Sequence, residues 1–286
     1  MNSISLPAYA KINLHLAVLE KRPDGYHELL TLFERVGLSD EVTVEKAAGA
    51  GIDLLCDSPS VPSDAANLAV RAAEAFRRVS GWSDGVRIRL KKRVPVGGGL
   101  GGGSSDAAAV LTALQQLSGR ALPPEQLMEC ARSLGADVAF FAAQVSWAWG
   151  RERGDRITPE PLKTILWHLL VTPDFPIPTK EVYQALKLTG LRADATLLSR
   201  ALERQQISEV RGLLFNALEP TVEALYPDMQ RVKSDLQTAT GLSRPMISGS
   251  GSSIFALCES QEEAESAAEK MRERRPSWQV HAVKTV

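Results

Sequence analysis

Six glycines among the seven residues 97–103 form the segment of this sequence that points most directly to chemistry. Such a run weakens any regular element, and it is expected where a backbone must approach a ligand closely. Phosphate is the usual ligand, because bare N–H groups surround it and the following helix presents its positive N-terminal end. Ser104 and Ser105 follow where that helix is predicted to begin, and a serine there can cap the helix, bind phosphate or hold a metal. A flexible loop with a serine N-cap is the alternative, which the density of glycines disfavours.

The glycine segment does not match either of the two common nucleotide-binding motifs. It is not a Walker A motif, because no Lys-Ser/Thr pair follows the last glycine. A GxGxxG spacing is present at Gly97, Gly99 and Gly102, but a dinucleotide fold needs this loop after the first strand of a βαβ unit. Two helices are predicted to follow in succession instead, so the sequence disfavours a Rossmann oxidoreductase.

Two charged residues far apart in the sequence could perform acid–base chemistry beside such a phosphate site. Lys11 lies in a strand pattern, on a face shared with Asn13 and His15, and a solvent-facing edge strand would explain it equally well. Asp137 follows a predicted helix and precedes an apolar run, so a helix N-cap is its simpler interpretation. If the two side chains meet, they form a desolvated ion pair of the kind that activates a hydroxyl.

The first half of the chain must supply the elements that position these residues. Alternation of apolar and polar residues predicts strands at residues 11–16, 26–36, 41–46, 52–55 and 85–94. Helical spacing predicts helices at residues 67–79, 105–117 and 124–134. A polar segment with two prolines, residues 151–161, then marks a shift in composition. We therefore predict two domains, residues 1–156 and 157–286.

The second half has a simpler order of elements. A strand at 165–172 is followed by a long helical stretch at 180–242, short strands at 245–248 and 253–258, a helix at 261–274 and a last strand at 279–286. Strand, helix, strand, strand, helix, strand is the ferredoxin-like pattern. The whole chain is predicted to be an α+β protein of two domains.

Composition excludes several classes of function. The 286 residues have a formal net charge of −1, which argues against nucleic-acid or membrane-surface binding. The basic strand 87–93 is interpreted as a solvated face, since no aromatic residues interleave with its charges. The longest apolar stretch, 138–149, is shorter than the ~18 residues of a membrane span. Without a recognisable secretory signal or paired cysteines, we expect a cytoplasmic protein.

Several segments together resemble the GHMP kinases, and the resemblance covers nearly the whole chain. They are 8–14 (AYAKINL), 22–28 (RPDGYHE), 95–105 (PVGGGLGGGSS), 135–141 (GADVAFF) and 247–255 (ISGSGSSIF). The resemblance implies an ATP- and Mg²⁺-dependent kinase of two domains with its site in the cleft between them. The N-terminal domain would resemble domain 2 of ribosomal protein S5, and the C-terminal domain would be ferredoxin-like.

The resemblance also implies roles for individual residues. Asp137 would be the catalytic base and Lys11 its partner, and Asn67 would lie near the adenosine. Ser105 would in addition hold the metal. The triphosphate would be bound by Pro95, Val96, Gly97, Gly98, Gly99, Leu100, Gly101, Gly102, Gly103, Ser104 and Ser105.

The acceptor substrate is implied by the combination of AKINL, DGYHEL and GGGLGGGSS, which is similar to the family member that phosphorylates a cytidine-diphosphate sugar alcohol in non-mevalonate isoprenoid synthesis. Asn13, His27 and Thr179 would hold this substrate, and Tyr26 and Tyr183 would flank its cytosine. Another GHMP kinase, such as homoserine or mevalonate kinase, is one alternative. A nucleotide-binding regulator without turnover is another, and the chain could act as a monomer or a homodimer.

Three departures from the family pattern concern the end of the first domain. Ala139 stands where the family usually has a proline, and Gln144-Val145 replace an expected glycine turn. The segment 151–156 is slightly longer than the usual GxGE. The last two departures are expected to affect the hinge between the domains more than the chemistry.

Overall fold

The computed structural model describes residues 2–188 and 193–286, and within these ranges it contains eleven strands and ten helices. The strands are β1 (Ser3–Lys21), β2 (His27–Ala47), β3 (Ile52–Cys56), β4 (Gly85–Lys91), β5 (Trp147–Glu152), β6 (Arg156–Pro159), β7 (Trp167–Thr172), β8 (Phe215–Asn216), β9 (Met246–Ile247), β10 (Ile254–Cys258) and β11 (Gln279–Lys284). The helices are α1 (Leu68–Ser80), α2 (Gly102–Leu117), α3 (Pro124–Leu134), α4 (Ala136–Ala142), α5 (Thr179–Ala185), α6 (Ala195–Glu203), α7 (Ile207–Leu213), α8 (Glu219–Leu225), α9 (Asp228–Thr240) and α10 (Gln261–Arg274). The predicted α+β class is confirmed, and none of these helices is long and apolar enough to cross a membrane.

The first sheet is built around two long antiparallel strands, β1 and β2, which are joined by a tight turn at residues 22–26. The strand order is β3-β4-β2-β1-β8, while β5 pairs with β2 and with β6. The sequence predicted two separate strands at 26–36 and 41–46, and this was wrong, because β2 runs through both. Its partner β1 shifts register between Tyr9 and Ala10, so the pairing continues across the interruption in the pattern.

Helices α1 to α4 pack against this sheet and against one another, with α2 at the centre. Asn67 caps α1, since its Oδ1 accepts a hydrogen bond of 2.8 Å from the amide of Ala69. Small buried alanines on α1 and α2 let the two helices approach closely, and Phe76 fills the space beside them. Helix α2 begins at Gly102, three residues before the predicted start, so the end of the glycine segment is itself helical.

The second sheet has the strand order β11-β7-β10-β9, with antiparallel neighbours throughout. In chain order this is the fourth, first, third and second strand, which is the ferredoxin-like arrangement predicted from the sequence. Helices α9 and α10 pack together, and α10 packs against β7 and β11. Alternate residues of β7 and β10, such as Leu169 and Ala256, are buried beneath these helices with Met271.

The two halves of the chain are joined by strand pairing and by a buried polar cluster. β8 pairs in parallel with β1, and Val36 forms a bridge with Thr285. Glu34 on β2 is fully buried and lies 2.9 Å from His168 Nε2, while Thr285 Oγ1 donates to it at 2.6 Å. The predicted domain boundary, between residues 156 and 157, falls inside β6, which belongs to the first sheet. These contacts hold the two walls of the cleft in place.

Gln144 occupies the turn position at which the family pattern has glycine. It follows α4 with a φ of +54°, in the left-handed region. This conformation costs a residue other than glycine about 1 kcal/mol. Its side-chain amide donates to Thr112 Oγ1 at 3.1 Å, which offsets part of that cost. The departure at this position therefore leaves the turn itself intact.

Candidate active site

A cavity of about 1300 Å³ lies between the two halves of the molecule. Its walls come from β1, the glycine segment and the start of α4 in the first half, and from α5 and the turn at 249–250 in the second. With one exception, every residue to which the resemblance gave a role lines this cavity. The exception is Ser105, which is buried in the first turns of α2, while its neighbours Ser104 and Asp106 reach the cavity wall.

The glycine segment folds into a loop that requires glycine at several of its positions. Gly97, Gly99 and Gly101 have φ angles of +73°, +75° and +72°, in the left-handed region that favours glycine. A Cβ on Gly99 would lie 2.3 Å from the carbonyl oxygen of Ser248, and one on Gly101 would lie 2.9 Å from the ring of Phe141. The loop is therefore shaped by close approach of other parts of the protein as well as by the need to expose its own amides.

The N-terminus of α2 is left open for an anion. Its N-cap is Gly101, which offers no side chain to accept from the first amides of the helix. The alternative of a serine N-cap is therefore wrong, since Ser104 and Ser105 lie inside the first turns. Uncapped amides and the helix dipole together form a site for a phosphate group.

A second glycine turn, residues 248–253, holds the loop from the other half of the chain. The amide of Ser253 donates to the carbonyl of Gly98 at 3.1 Å, and Ser248 Oγ donates to the carbonyl of Gly99 at 3.2 Å. Thr172 on β7 fixes Ser253 through a hydroxyl contact of 2.7 Å. The sequence analysis found this turn only as part of the family resemblance, in the segment 247–255, and missed its contacts with the first loop. The one sequence signal for these contacts is that both glycine-rich segments, 95–105 and 247–255, belong to the motifs that resemble the same family.

Lys11 is buried in the middle of the sheet, with 4% of its surface exposed. The edge-strand alternative is wrong, because β1 lies between β2 and β8. The Lys11 ammonium donates to Asn13 Oδ1 at 2.7 Å and lies 3.6 Å from Asp137 Oδ2. Asn13 in turn donates to Thr31 Oγ1 at 2.8 Å, so the amide is held in one orientation.

Asp137 lies in the first turn of α4, whose N-cap is Gly135. The N-cap interpretation of Asp137 is therefore wrong, and the side chain is free to face the cavity with about a third (32%) of its surface exposed. The carboxylate also lies near Tyr183. Burial is the main cause that raises the pKa of the Tyr183 phenol above its usual range, and the negative charge of Asp137 adds to it. The geometry places one acidic and one basic group beside the phosphate loop, within reach of a bound hydroxyl.

His15 does not join this group, although it was predicted to share a face with Lys11 and Asn13. The register of β1 shifts between Asn13 and His15, so the imidazole turns away from the cavity. It is fully buried between the rings of Trp149 and Phe215, at centroid distances of 5.7 and 5.6 Å, with no hydrogen-bond partner on either nitrogen among the described residues. Burial lowers the pKa of His15 to about 4.

A second buried lysine, Lys92, was missed by the sequence analysis. Its ammonium contacts both Asp40 and Asp106, the latter at 2.6 Å, and all three side chains are at least nine-tenths buried. The other oxygen of Asp40 accepts from the amide of Val94 at 2.8 Å, where the chain approaches the glycine loop. Burial raises the pKa of Asp106 to about 7. The interpretation of 87–93 as a solvated face was thus wrong for Lys92, which follows the end of β4 and turns inward.

The far end of the cavity is aromatic. The rings of His27 and Tyr183 lie 5.4 Å apart with an interplanar angle of 32°. Tyr26 is 57% exposed and lies under the guanidinium of Arg153, at 5.2 Å from the ring centroid. Thr179, at the start of α5, shares a 2.7 Å hydroxyl contact with Ser250. Partial burial and the nearby charge of Lys21 lower the pKa of His27.

The oxygen donors near the phosphate loop suit a magnesium ion. Ser104 and Ser105 supply hydroxyls there, and Asp106 and Asp137 supply carboxylates, all of them hard oxygen ligands. One oxygen of Asp106 is buried without a hydrogen-bond partner among the described residues. Within the same described ranges there is no cluster of three or more His, Cys, Asp or Glu side chains that could hold a metal alone. A magnesium ion at this site would complete its coordination with water or with the phosphates of a bound nucleotide.

Models of known families match both halves of the chain. The model described as "GHMP kinases N terminal domain" matches residues 67–144, and "GHMP kinases C terminal" matches residues 191–276. The 4-diphosphocytidyl-2-C-methyl-D-erythritol kinase of Geobacter sulfurreducens is 40% identical over 287 residues, which cover 100% of both chains. The enzyme of the same name from Pelotomaculum thermopropionicum is 40% identical over 273 residues, or 94% of each chain.

Solved structures agree with these sequence relatives. A crystal structure of 4-(cytidine 5'-diphospho)-2C-methyl-D-erythritol kinase superposes with a TM-score of 0.82 and 36% identity, over 99% of this chain and 100% of that one. Homoserine kinase from Cytophaga hutchinsonii superposes with a TM-score of 0.73 over 100% of this chain and 95% of that one, at 21% identity. The second similarity concerns the fold alone.

Proposed function

Because the chain belongs to the 4-diphosphocytidyl-2-C-methyl-D-erythritol kinases, within the GHMP kinases, we propose that the cavity between its two halves binds both substrates of that reaction. The chain is an ATP-dependent kinase of the non-mevalonate (MEP) isoprenoid pathway. The acceptor is 4-diphosphocytidyl-2-C-methyl-D-erythritol, and its 2-hydroxyl is the group to which the phosphoryl is transferred.

The nucleotide would occupy the part of the cavity nearest the glycine loop. Residues 95–105 would bind the triphosphate, with free backbone amides of the glycines as donors, and the uncapped start of α2 would add its dipole. Asn67 would lie near the adenosine, although both ends of its amide already bond to the backbone, at Ala69 N and Pro62 O. Its contribution to the nucleotide is therefore the shape of the wall more than a hydrogen bond.

Mg²⁺ would be held by the nucleotide phosphates together with the oxygen donors at the start of α2, and Ser105 is the ligand that we propose. Bound there, the ion neutralises charge on the phosphates. Ser105 is buried and does not line the cavity, whereas its neighbours Ser104 and Asp106 do.

The transfer itself relies on Asp137 and Lys11. Asp137 accepts the proton of the attacking hydroxyl as the oxygen bonds to the γ-phosphorus and the bond to the β–γ bridging oxygen breaks, releasing ADP. Lys11, which donates to Asn13 and lies 3.6 Å from Asp137, keeps the carboxylate oriented and holds positive charge beside the transferred group. Phosphoryl transfer has a loose transition state, so this positioning and neutralisation supply most of the acceleration.

The acceptor would extend from Asp137 to the aromatic end of the cavity. Asn13, Thr179 and His27 line the cavity, and we propose that His27 bonds the edge of the cytosine. Tyr26 and Tyr183 come from different halves of the chain and would stack on the two faces of the base. We propose a small molecule as the only substrate partner, with no nucleic acid or membrane, for a cytoplasmic enzyme that is a monomer or a homodimer.

The observation that carries the proposal is the 3.6 Å approach of Lys11 to Asp137 at the wall that also contains the glycine loop. Lys11 and Asp137 are more than a hundred positions apart in the sequence, and the fold brings them together at the wall of the cavity beside the expected phosphate site. A nucleotide-binding regulator would need the loop but not this pair.

Release of ADP, coupled to a spectrophotometric signal, tests the function. We expect turnover with 4-diphosphocytidyl-2-C-methyl-D-erythritol and none with mevalonate, homoserine or galactose. Product analysis by ³¹P nuclear magnetic resonance should find the new phosphomonoester on the 2-hydroxyl. Preference for mevalonate or homoserine would assign the chain to another branch of the GHMP kinases, and ATP binding without turnover on any acceptor would favour the regulator.

A further inference from the structure

Arg153 lies in the short turn between β5 and β6, at the aromatic end of the cavity. Its guanidinium carbon is 5.2 Å from the centroid of the Tyr26 ring. Its Nη2 donates to Asp155 Oδ2 at 2.5 Å, and the Asp155 side chain is almost fully buried, with 5% of its surface exposed. The carboxylate is therefore a fixed anchor that determines where the guanidinium lies.

Tyr26 has few other contacts that could hold its ring. It is the second most exposed of the large apolar or aromatic side chains among the described residues, at 57%, and its hydroxyl has no hydrogen-bond partner there. Its backbone N–H donates to Asp24 Oδ1 at 3.1 Å and its carbonyl accepts from the Arg22 N–H at 2.8 Å, which fixes the main chain but not the side chain. The cation above its face is the one described contact that orients the ring.

The two turns that carry Arg153 and Tyr26 are tied together on their other side. Arg22 donates to Glu28 at 2.5 Å and lies 3.7 Å from Glu152, and Glu28 accepts from the amide of Glu152 at 3.0 Å. These contacts join the turn at 22–26 and the start of the turn at 153–155 into one wall. Arg153 is held against Tyr26 by the backbone as well as by Asp155.

We propose that Arg153 is a positioning residue for base recognition, which covers one face of Tyr26 and so presents the other face to the cytosine. The inference rests on the proposed function, in which Tyr26 stacks on the base. Arg153 belongs to the segment 151–156, which is slightly longer than the usual segment of the family. The described contacts of the guanidinium are with Tyr26 and Asp155 at the aromatic end of the cavity, so we expect its effect to pass through Tyr26.

The test is a double-mutant cycle on Arg153 and Tyr26, with kcat and KM measured for the cytidine substrate and for ATP. Arg153→Met keeps most of the length of the side chain but removes the cation. We expect it to raise KM for the cytidine substrate about two- to five-fold, with kcat and KM for ATP unchanged. In a Tyr26→Ala background the same change should have no further effect. Arg153→Lys should restore part of the affinity, because it returns a cation to the ring.

The matched control is Arg151→Met, which removes an exposed arginine of the same segment that does not line the cavity. Calorimetric binding of cytidine diphosphate to each variant provides a readout that does not depend on turnover. The proposal is overturned if Arg153→Met leaves KM and cytidine diphosphate affinity unchanged, if it acts no differently from Arg151→Met, or if its effect persists in the Tyr26→Ala background. The last outcome would mean that Arg153 binds the diphosphate of the substrate directly.

The failure of the proposed function would look different. In that case the unmodified enzyme would neither bind cytidine diphosphate nor phosphorylate the cytidine substrate. Failure of the positioning role alone leaves both properties intact and changes only the behaviour of the Arg153 variants.

Discussion

Lys11 and Lys92 are two buried lysines beside the same cavity, and their ammonium groups are engaged in different ways. Lys92 contacts two carboxylates directly, and all three side chains are at least nine-tenths buried. Lys11 bonds to the neutral amide of Asn13, and its carboxylate partner lies 3.6 Å away with about a third (32%) of its side chain exposed to the cavity. A fully paired ammonium ties elements together, whereas a partly paired one leaves its carboxylate available to a substrate.

The elements around each lysine explain the difference. Lys92 lies where β4 leads toward the glycine loop, and Asp106 on α2 closes over it from within the core. Lys11 lies in the middle of β1, and Asp137 comes from the short helix α4 at the edge of the cavity. We therefore expect the Lys11 pair to affect catalysis and the Lys92 cluster to affect stability.

Asp137→Asn should have the largest effect. The amide keeps the size of the side chain but cannot accept a proton, so kcat should fall by about 10²- to 10⁴-fold. Affinity for a non-hydrolysable ATP analogue, measured by calorimetry, should stay nearly the same. A variant that kept more than about a tenth of the normal kcat would show that Asp137 is not the base.

Lys11→Met should lower kcat by about 10²-fold, because it removes a preorganised positive group from beside the transferred phosphoryl. Lys11→Arg should restore little activity, since a planar guanidinium does not replace a compact ammonium in this buried space. Steady-state kinetics on both variants, with circular dichroism to verify folding, measures this. Near-normal turnover by Lys11→Arg would mean that the ammonium has no specific role.

Lys92→Met should instead lower the free energy of unfolding, by about 3 kcal/mol, because it leaves Asp40 and Asp106 buried without their cation. The folded fraction should keep far more of its kcat than Lys11→Met does. Urea unfolding gives the stability, and the matched control is Lys91→Met, which removes only an exposed pair with Glu41 and should cost less than about 1 kcal/mol. Equal stability of the two variants would remove the distinction drawn between the two lysines.

The smallest effect is expected at His15, a buried base that, unlike the two lysines, has no hydrogen-bond partner among the described residues. Its pKa is lowered to about 4 from the usual 6.5, so the unfolded chain binds the extra proton first as the pH falls. The stability contributed by the neutral ring is fully present above pH 6.5 and is lost as the pH falls toward 4. Between pH 7 and 5.5 the free energy of unfolding should drop by about 1 kcal/mol from this group. In His15→Leu, unfolding measured at both pH values should lack this part of the decrease, and an unchanged decrease would contradict the assignment.

Much of the candidate site could be predicted because its residues carry local signals. The density of glycines at 97–103 indicated a phosphate loop, and a lysine in an apolar strand indicated an unusual environment. The ferredoxin-like order of elements in the second half is also local information, because periodicity and turns define each element in turn. The roles proposed for individual residues came from the family resemblance, and they stay proposals.

Other features depend on contacts between distant parts of the chain. The register shift after Asn13 turned His15 into the core, and nothing in the alternation of β1 marks it. Lys92 follows three basic residues of a strand whose polar face is predicted to be solvated, so the sequence pattern does not mark it as buried. Its burial depends on contacts with Asp40 of β2 and Asp106 of α2, which are far away in the sequence. The contact of Arg153 with Tyr26 likewise depends on which two turns the first sheet brings together.

The sequence by itself determined where the backbone must bend, which faces are apolar, and where an anion could be bound, because these follow from glycine φ freedom, periodicity and helix dipoles. Only the tertiary structure decided which buried charges meet. The energy of a buried charge depends on the distance to its partner, and partners such as Lys11 and Asp137 are brought to 3.6 Å by packing between elements far apart in the chain.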